Sequence, residues 1–471
     1  MFEQTSIFDV LYPKYKITKP IRLIEFFAGY GSQALALKYL GVSFEHWKTC
    51  EWAIKSIQAY KDIHFFDKNI NFNNNRTKEE MVEFLYNKGI SSNYNEPMTK
   101  EQIKRLNEDT LKKIITNIAI TNNLVNIQQV KGKDLEIVNT DKYEYILTYS
   151  FPCQDLSLAG KGKGMSDTST RSGMLWEVER ILCECYELSS LPQVLLMENV
   201  PQVHGTDNVE DFNKWKYKLE ELGYKNYFQD LIATDYGIPQ TRNRCFMVSI
   251  LGDYSYNFPK PIPLELKLKD MLEDEVDEKY YLNDKQIKDV QNWNSYEKPL
   301  ENMEKIDKTN ISPTLTTRSG AYATGMILVK DIENYIECVG TYQYSKSDTF
   351  MQGKDRFQLG KEVSDTLLTS PKEGVVTIGN YSPSNHNASR IVDSEYSAPT
   401  VMENHGTITA TQIDDLRIRK LTPRECFRLM GVKDEDFEKC ATNQSDNSLY
   451  HLAGDSIVVN VLMAIFKELI K

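Results

Sequence analysis

The sequence lacks the segments that would place it in or across a membrane. No stretch approaches the ~18 uninterrupted apolar residues of a membrane-spanning helix. The N-terminus, MFEQTSIFDV, has no basic region followed by an apolar core, so no secretory signal is visible. These absences predict an intracellular, reducing setting, the cytoplasm.

Cysteine is scarce and scattered. The chain has 8 cysteines in 471 residues. The only close pair, Cys183 and Cys185, lacks the spacing of a redox or zinc motif. The sequence therefore predicts neither disulfide bonds nor a structural metal, and it indicates no metal in a functional site.

Positive charge is also in short supply. The 56 Lys and Arg residues are outnumbered by 67 Asp and Glu residues, which gives a net charge of -11. Proteins that bind nucleic acid over a broad surface are usually basic, so any such contact here must be a local basic cleft on an acidic body. Hydrophobic content of 41% and charged content of 26% are typical of a globular protein. The length predicts two or three domains.

What is present is an alternation of strand and helix patterns. Strands are predicted at 21–27, 44–49, 145–151, 193–197, 224–232 and 245–250, and helices at 32–41, 173–188 and 212–222. Strands that alternate with helices predict an α/β fold with a doubly wound, mostly parallel sheet. Ligands of such sheets bind beyond the carboxyl ends of the strands.

The first strand is followed by a glycine turn, AGYGS, which leads into a helix. We expect Ser32 to cap that helix and Gly41 to end it. Such a turn brings backbone N–H groups close to a ligand, although many turns of this kind merely pack. Glu51 and Trp52 follow the second strand, where a carboxylate can bind ribose hydroxyls and an indole can stack on adenine. The alternative is an exposed acid beside a core tryptophan.

Three further strand ends carry reactive side chains. Pro152 stops the third strand, so Cys153 lies on the loop that leaves it. Glu198 ends the next strand, and the paired arginines Arg242 and Arg244 precede the last. Positive charge nearby favours the thiolate form of cysteine, an acid can donate a proton, and arginines can neutralise developing charge. A lone cysteine is more often a small buried hydrophobe, but these neighbours favour chemistry.

The rest of the chain divides into three parts. Residues 62–130 are polar and asparagine-rich, with helical periodicity near 100–120, and read as an insertion without an assigned task. Residues 263–415 contain three similar segments, which begin at Ser312, Ser364 and Ala398 and predict hairpins in a small β/loop-rich domain. Residues 416–471 contain a helix capped by Thr422 and ended by Gly431, and an amphipathic C-terminal helix. We expect 416–471 to fold back onto the domain of residues 1–262.

Five short motifs resemble, in order, the conserved blocks of the cytosine-5 DNA methyltransferases. They are FAGYG at 27–31, PCQ at 152–154, ENV at 198–200, QTRNR at 240–244, and the helix that contains Arg424 and Glu425. The resemblance covers residues 22–61, 133–250 and 420–471. It implies a Rossmann-like methyltransferase domain and a smaller target-recognition domain at 263–415.

The resemblance implies S-adenosylmethionine as the cofactor, and it assigns cofactor contacts by position. The residues so assigned are Phe27, Gly29, Tyr30, Gly31, Glu51 (ribose), Trp52 (adenine), Asp134 and Leu135 (adenine), Pro152, Leu175, Asp455 and Ser456. The chain departs from the family pattern twice. Ser32 replaces a frequent glycine, and Asp455 replaces the usual asparagine, which adds a charge beside the cofactor.

The resemblance also implies the catalytic roles. Cys153 would attack C6 of a flipped-out cytosine, Glu198 would bind N3 and the exocyclic amine, and Arg244 would hold O2 with support from Arg242. Residues 154–171 resemble the mobile loop that closes over the base. The side chains that we expect to contact DNA are Gln154, Lys161, Lys163, Arg171, Gln240, Arg356 and Arg390.

These expectations lead to a monomeric enzyme that methylates cytosine in a specific double-stranded DNA sequence. Its role would be host protection beside a restriction endonuclease, without a stable complex, or a phage or orphan role. Two alternatives stay open. One is methylation of cytosine in transfer RNA, which the sizeable domain at 263–415 argues against. The other is a catalytically silent binding protein, which the presence of Cys153, Glu198 and Arg244 argues against.

Overall fold

A six-stranded sheet forms the centre of the first domain. The structure, a computed structural model, describes residues 12–68, 75–152, 172–281, 326–332, 335–341, 408–409 and 416–470. The strands of this sheet are β1 (Ile21–Phe26), β2 (Phe44–Cys50), β3 (Glu144–Tyr149), β4 (Val194–Asn199), β5 (Tyr224–Ile232) and β6 (Asn243–Leu251). Their order across the sheet is β2-β1-β3-β4-β6-β5.

Five of these six strands run in the same direction. β1 pairs in parallel with β2 and β3, and β3 pairs in parallel with β4. β6 is antiparallel to both of its neighbours, β4 and β5. The prediction of a mostly parallel, doubly wound sheet is therefore confirmed. The carboxyl ends of β1 to β5 and the beginning of β6 share one edge.

The central strands β1, β3 and β4 and most of β6 are buried on both faces, as near-continuous apolar runs require, whereas the edge strands β2 and β5 are partly exposed. Side chains alternate between the faces, so Leu23 and Ile24 of β1 belong to two different apolar clusters. Ile146 and Leu147 of β3 divide in the same way. The sheet therefore has a hydrophobic core on each side.

Helices cover both faces of the sheet. One layer contains α1 (Ser32–Tyr39) and part of α2 (Ile54–His64), and the other contains α6 (Leu175–Glu187) and α7 (Val209–Glu221). The first layer is completed by α8 (Pro423–Leu429), α9 (Asp434–Ala441), α10 (Asp446–Asp455) and α11 (Val459–Leu469). The helices between residues 423 and 469 thus pack on the first sheet. That residues 416–471 as a whole belong to the first domain stays a prediction.

Packing in this layer explains why the C-terminal segment is apolar. Asp446–Leu469 is long and apolar enough to cross a membrane by composition, but 78% of its most apolar window is buried inside the protein. It is therefore a core element of the first layer.

The start of α1 differs from the prediction. Ser32 is the first helical residue and not the cap; the capping position is Gly31, in the left-handed conformation with φ 84°. Gly31 has no side chain with which to cap, and the first turn is fixed by the buried Glu25 of β1, whose carboxylate accepts from Ala34 N–H at 3.3 Å. Gly41, with φ 71°, follows the helix end as expected.

The polar segment after α2 contains three helices with a core of their own. They are α3 (Lys78–Lys88), α4 (Lys100–Lys104) and α5 (Glu108–Ile120). Their apolar side chains pack with Ile57 of α2 in a third cluster, separate from the two cores of the sheet. The periodicity near 100–120 therefore predicted helices correctly. That the segment is an insertion stays a prediction.

A second, antiparallel sheet has the strand order β8-β7-β10-β9. Its strands are β7 (Met326–Ile332), β8 (Tyr335–Thr341), β9 (Ile408–Thr409) and β10 (Leu416–Lys420). β7 and β8 pair as an antiparallel hairpin. The three similar segments that begin at Ser312, Ser364 and Ala398 lie outside the described residues.

A buried ion pair stands where the chain returns to the first domain. Arg419 on β10 makes two bonds of 2.8 and 2.7 Å to Glu425 on α8, and both side chains are fully buried. Glu425 also accepts the N–H groups of Thr422 and Glu273. Together with Thr422 it forms the capping box that the sequence predicted.

Removal of one partner of this pair should destabilise the protein strongly. Arg419→Met leaves the Glu425 charge buried without its counter-ion, so we expect the free energy of unfolding to fall by about 3–5 kcal/mol. Urea unfolding followed by tryptophan fluorescence measures this change. Arg424→Met is the matched control. The ion pairs of Arg424 with Glu273 and Glu438 are partly exposed, so this substitution should lower the free energy of unfolding by about 1 kcal/mol or less. Equal losses in the two variants would contradict the assignment.

Candidate active site

The edge at the carboxyl ends of β1 to β4 gathers most of the predicted site. The turn after β1, Glu51 after β2, Pro152 after β3 and Glu198 at the end of β4 all lie there. Arg244 joins them from the beginning of β6, because that strand runs the other way. Sheet topology alone therefore explains why residues so distant in sequence meet.

The turn after β1 adopts a conformation that suits glycine. Phe27, Gly29 and Gly31 have φ values of 55°, 54° and 84°. A Cβ at Gly31 would overlap the rings of His64 and Tyr60, so that position must be glycine. A Cβ at Gly29 would meet no atom within 4 Å. The turn is therefore tightly packed at Gly31 and open at Gly29.

Glu51 ties this turn to the next strand end. Its carboxylate accepts Gly29 N–H at 3.0 Å and Ala53 N–H at 2.7 Å. Burial raises the pKa of Glu51 to about 7, although the bonds from these N–H groups act in the opposite direction. The carboxylate is thus held beside the open side of the glycine turn, where it can accept from hydroxyl groups of a ligand.

Asn123, which the sequence did not single out, clamps the backbone at Glu51. Its side-chain oxygen accepts Glu51 N–H at 3.0 Å, and its amide nitrogen donates to Glu51 O at 2.9 Å. The same oxygen accepts Val125 N–H at 2.9 Å, and Val125 has a φ of 72°, which is rare for a β-branched residue. A run of asparagines was visible in this segment, but nothing local linked it to β2.

Asp134 and Leu135 make contacts of their own. Asp134 accepts Lys131 N–H and closes a short 3₁₀ turn, and Leu135 O accepts from the indole of Trp47 in the middle of β2. Leu135 is fully buried in the core on the side of α6. Asn123 bridges to Thr49 and bonds to Glu51 at the carboxyl end of β2. Cofactor contacts of Asp134 and Leu135 stay a prediction.

Two other expected cofactor contacts are core residues. Tyr30 is fully buried and stacks on Phe427 of α8, with ring centroids 5.2 Å apart. Leu175 is fully buried at the beginning of α6. Trp52 is partly buried against the cluster of α3 to α5.

Arg242 binds the segment that carries Asp455 and Ser456. It is buried, and its guanidinium donates to Gly454 O at 3.0 Å and to Ser456 O at 2.7 Å. The Tyr30 hydroxyl lies near Ser456, and burial raises the pKa of Tyr30 to about 12. Arg242 therefore holds the end of α10 against the glycine turn.

The extra charge of Asp455 has a neighbour. Asp455 Oδ2 lies 3.2 Å from His451 Nε2, one helical turn earlier on α10. The His451 ring contacts Tyr94, which belongs to the segment between α3 and α4, with ring centroids 3.7 Å apart. The departure from the family asparagine thus places a carboxylate beside a histidine.

Glu198 and Arg244 form the polar centre of the edge. Arg244 Nε lies 3.2 Å from Glu198 Oε1, and only 15% and 10% of the two side chains are exposed. Burial raises the pKa of Glu198, whereas the charges of Arg244 and Arg242 oppose that shift. The adjacent Asn199 donates to Phe151 O at 2.9 Å, which fixes the end of β3 two residues before Cys153.

Only one of the expected DNA contacts, Gln240, lies in the part of the chain that the structure describes. Gln240 is fully buried and donates to Leu429 O at 2.6 Å, which argues against a contact with DNA. The other predicted contacts and the predicted nucleophile lie outside the described residues. They are Cys153, Gln154, Lys161, Lys163, Arg171, Arg356 and Arg390.

The chain is similar to known proteins of one family. Residues 84–471 match the family described as C-5 cytosine-specific DNA methylase. The chain is 31% identical over 457 residues to the type II methyltransferase M2.ScrFI of Lactococcus lactis subsp. cremoris, across 96% of this chain and 99% of the relative. It is 34% identical over 384 residues to the orphan methyltransferase M.SssI of Spiroplasma monobiae, across 77% and 94% of the two chains.

Among solved structures, the chain resembles the S. pombe Dnmt2 methyltransferase, with a TM-score of 0.51 and 15% identity. The match covers 95% of this chain and 97% of the other. At this identity the likeness shows the fold alone. The family match and the relatives over 30% identical go further: the chain belongs to the C-5 cytosine-specific DNA methyltransferases, which use S-adenosylmethionine as the methyl donor.

Proposed function

We propose that Cys153, Glu198 and Arg244 methylate C5 of a cytosine flipped out of double-stranded DNA. The observation that carries this assignment is the buried Glu198–Arg244 pair, 3.2 Å apart, beside the strand end that leads to Cys153. A carboxyl and a guanidinium at that spacing match the N3, amine and O2 edge of cytosine. A base in a duplex must leave the stack to reach them, at a cost of about a few kcal/mol.

The chain's residues suit S-adenosylmethionine. Gly29 leaves open space on the turn, and the Glu51 carboxylate beside it can accept the ribose hydroxyls. When bound there, the cofactor supplies an electrophilic methyl group. Two parts of the chain would fix its orientation. One is Glu51, which is held by Asn123, and the other is the end of α10 at 454–456, which is held by Arg242.

The Cys153 thiolate forms a bond to C6, and the electron pair of the C5–C6 double bond becomes available at C5 for the methyl group. Glu198, whose pKa is raised by burial, donates to N3 and offsets the charge that the ring gains. Arg244 donates to O2. Loss of the C5 proton then drives out the Cys153 sulfur and restores the ring.

We also infer where the enzyme acts, its oligomeric state and its partner. The relatives include proteins of a bacterium and of Bacillus phage SPR, and we infer a cytoplasmic enzyme that acts on DNA. One catalytic edge serves one short site, so we infer a monomer that reads a specific sequence through residues 263–415. A cognate restriction endonuclease would share the site without forming a stable complex.

The reaction is tested with methyl-labelled S-adenosylmethionine and either genomic DNA or transfer RNA, followed by bisulfite sequencing. We expect label at C5 within one short DNA motif. Cys153→Ser should abolish it, while Cys183→Ser, a partly buried cysteine away from the site, should not. Label in RNA alone would support a transfer RNA enzyme. Absence of label with intact cofactor binding would support a silent binding protein.

Substitutions of Arg244 and Arg242 should change different constants of the reaction. Arg244→Met removes a donor to the base and should lower kcat by about 10²–10³-fold, with little change in the Kd of the cofactor. Arg242→Lys loosens the end of α10 at residues 454–456 and should raise that Kd more than it lowers kcat. Single-turnover methylation and calorimetric cofactor binding measure the two effects. The same profile in both variants would refute the separate roles.

Cofactor binding should strengthen as pH rises through 7. Ribose hydroxyls donate to the ionised form of Glu51. Because the pKa of Glu51 is about 7, only about a tenth of the Glu51 carboxyls of the free protein are ionised at pH 6. The Kd should therefore fall by about tenfold between pH 6 and pH 8, when most of the carboxyl is ionised. Calorimetry at both pH values tests this. Glu51→Gln controls for titration of the cofactor itself, and an equal change in that variant would exclude Glu51 as the cause.

A further inference from the structure

Three metal-ligand side chains converge behind the Glu198–Arg244 pair. They are His204, from the 3₁₀ turn Pro201–His204 after β4, Asp230 of β5 and Cys245 of β6. His204 Nε2, an Asp230 carboxylate oxygen and Cys245 Sγ all lie within 4.8 Å of one another. Among the described residues, this is the one such group of three. Their positions, 204, 230 and 245, form no sequence motif, so sequence analysis predicted no metal.

The fold holds these side chains in place. Asp230 and Cys245 are direct partners in the β5–β6 register and therefore point to the same face. Asp230 Oδ1 lies 2.9 Å from His204 Nε2. The His204 ring also packs near Phe212 and Phe228, with centroids 6.0 and 5.6 Å away. Each ligand thus comes from a different element and is restrained by it.

We propose that His204, Asp230 and Cys245 bind a thiophilic divalent cation, with Zn²⁺ as the best match. Bond lengths of about 2.0–2.3 Å place the ligands of a tetrahedral Zn²⁺ about 3.3–3.6 Å apart, so small side-chain rotations suffice. A thiolate, an imidazole and a carboxylate favour Zn²⁺ over Mg²⁺ or Ca²⁺. His204 and Asp230 are 30% and 33% exposed, which leaves room for water as the fourth ligand.

Binding of the ion would be balanced in charge. Cys245 carries a fully buried thiol, and its sulfur lies beside the Asp230 carboxylate. On coordination the sulfur–hydrogen bond breaks, the proton leaves to solvent, and the two anionic ligands neutralise the two charges of the ion.

The ion would connect three elements of the catalytic edge. Cys245 directly follows Arg244, and it is the register partner of Asn199, which directly follows Glu198. Strand alternation directs Cys245 to the face opposite Arg244, so the ion would not touch the base. It would act by holding β5, β6 and the turn after β4 at fixed separation. This role does not depend on the chemistry proposed for Cys153.

Co²⁺ is the probe of choice, because its thiolate complexes absorb in the near ultraviolet. The full-length, metal-stripped protein should bind one equivalent with a thiolate-to-cobalt band, and Zn²⁺ should displace it. Cys245→Val should abolish the band. His204→Gln keeps the thiol but should weaken binding by at least about 100-fold, more than loss of a residue that only orients a ligand. Cys183→Ser, outside the cluster, should retain the band.

Folding is checked for each variant by circular dichroism without metal, and Zn²⁺ should raise the thermal unfolding midpoint of the wild type but not of His204→Gln. No stoichiometric uptake by the wild type would overturn the proposal. So would an unchanged band and affinity in Cys245→Val and His204→Gln, because the metal would then lie elsewhere.

Discussion

Because β6 runs antiparallel to β4, the residues that begin β6 lie beside the residues that end β4. This pairing brings a carboxyl and a guanidinium to 3.2 Å at the edge of the sheet. A parallel β6 would carry Arg244 to the opposite edge, the length of a strand away. The catalytic proposal, the support from Arg242 and the cation site behind the sheet all depend on this reversal of one strand.

Burial and local charge act against each other at this edge. The protein as a whole is acidic, with a net charge of -11. At Glu198, burial favours the protonated carboxyl, while Arg242 and Arg244 favour the ionised one. Burial is the larger of the two effects, so the net result is a raised pKa of Glu198. Glu51 is similar, although its opposing partners are backbone N–H groups and not arginines.

Local patterns predicted the parts of the fold that local forces determine. The strands, the capping box at Thr422 and the apolar face of the C-terminal helix follow from periodicity and capping chemistry. Prediction failed where a distant partner decides. Ser32 does not cap α1, since Gly31 occupies that position. Gln240 binds the end of α8. The resemblance predicted roles for Glu198 and Arg244, but no sequence signal linked Asn123 to Glu51 or joined His204, Asp230 and Cys245.

The clamp at Asn123 sets how the helical segment joins the sheet. The helices α3 to α5 pack on α2 through their own apolar cluster, apart from the cores of the sheet. The chain that follows them returns to the end of β2, where Asn123 bonds both backbone groups of Glu51. A substitution inside the cluster therefore acts first on the helices, whereas one at Asn123 acts directly on the carboxyl end of β2.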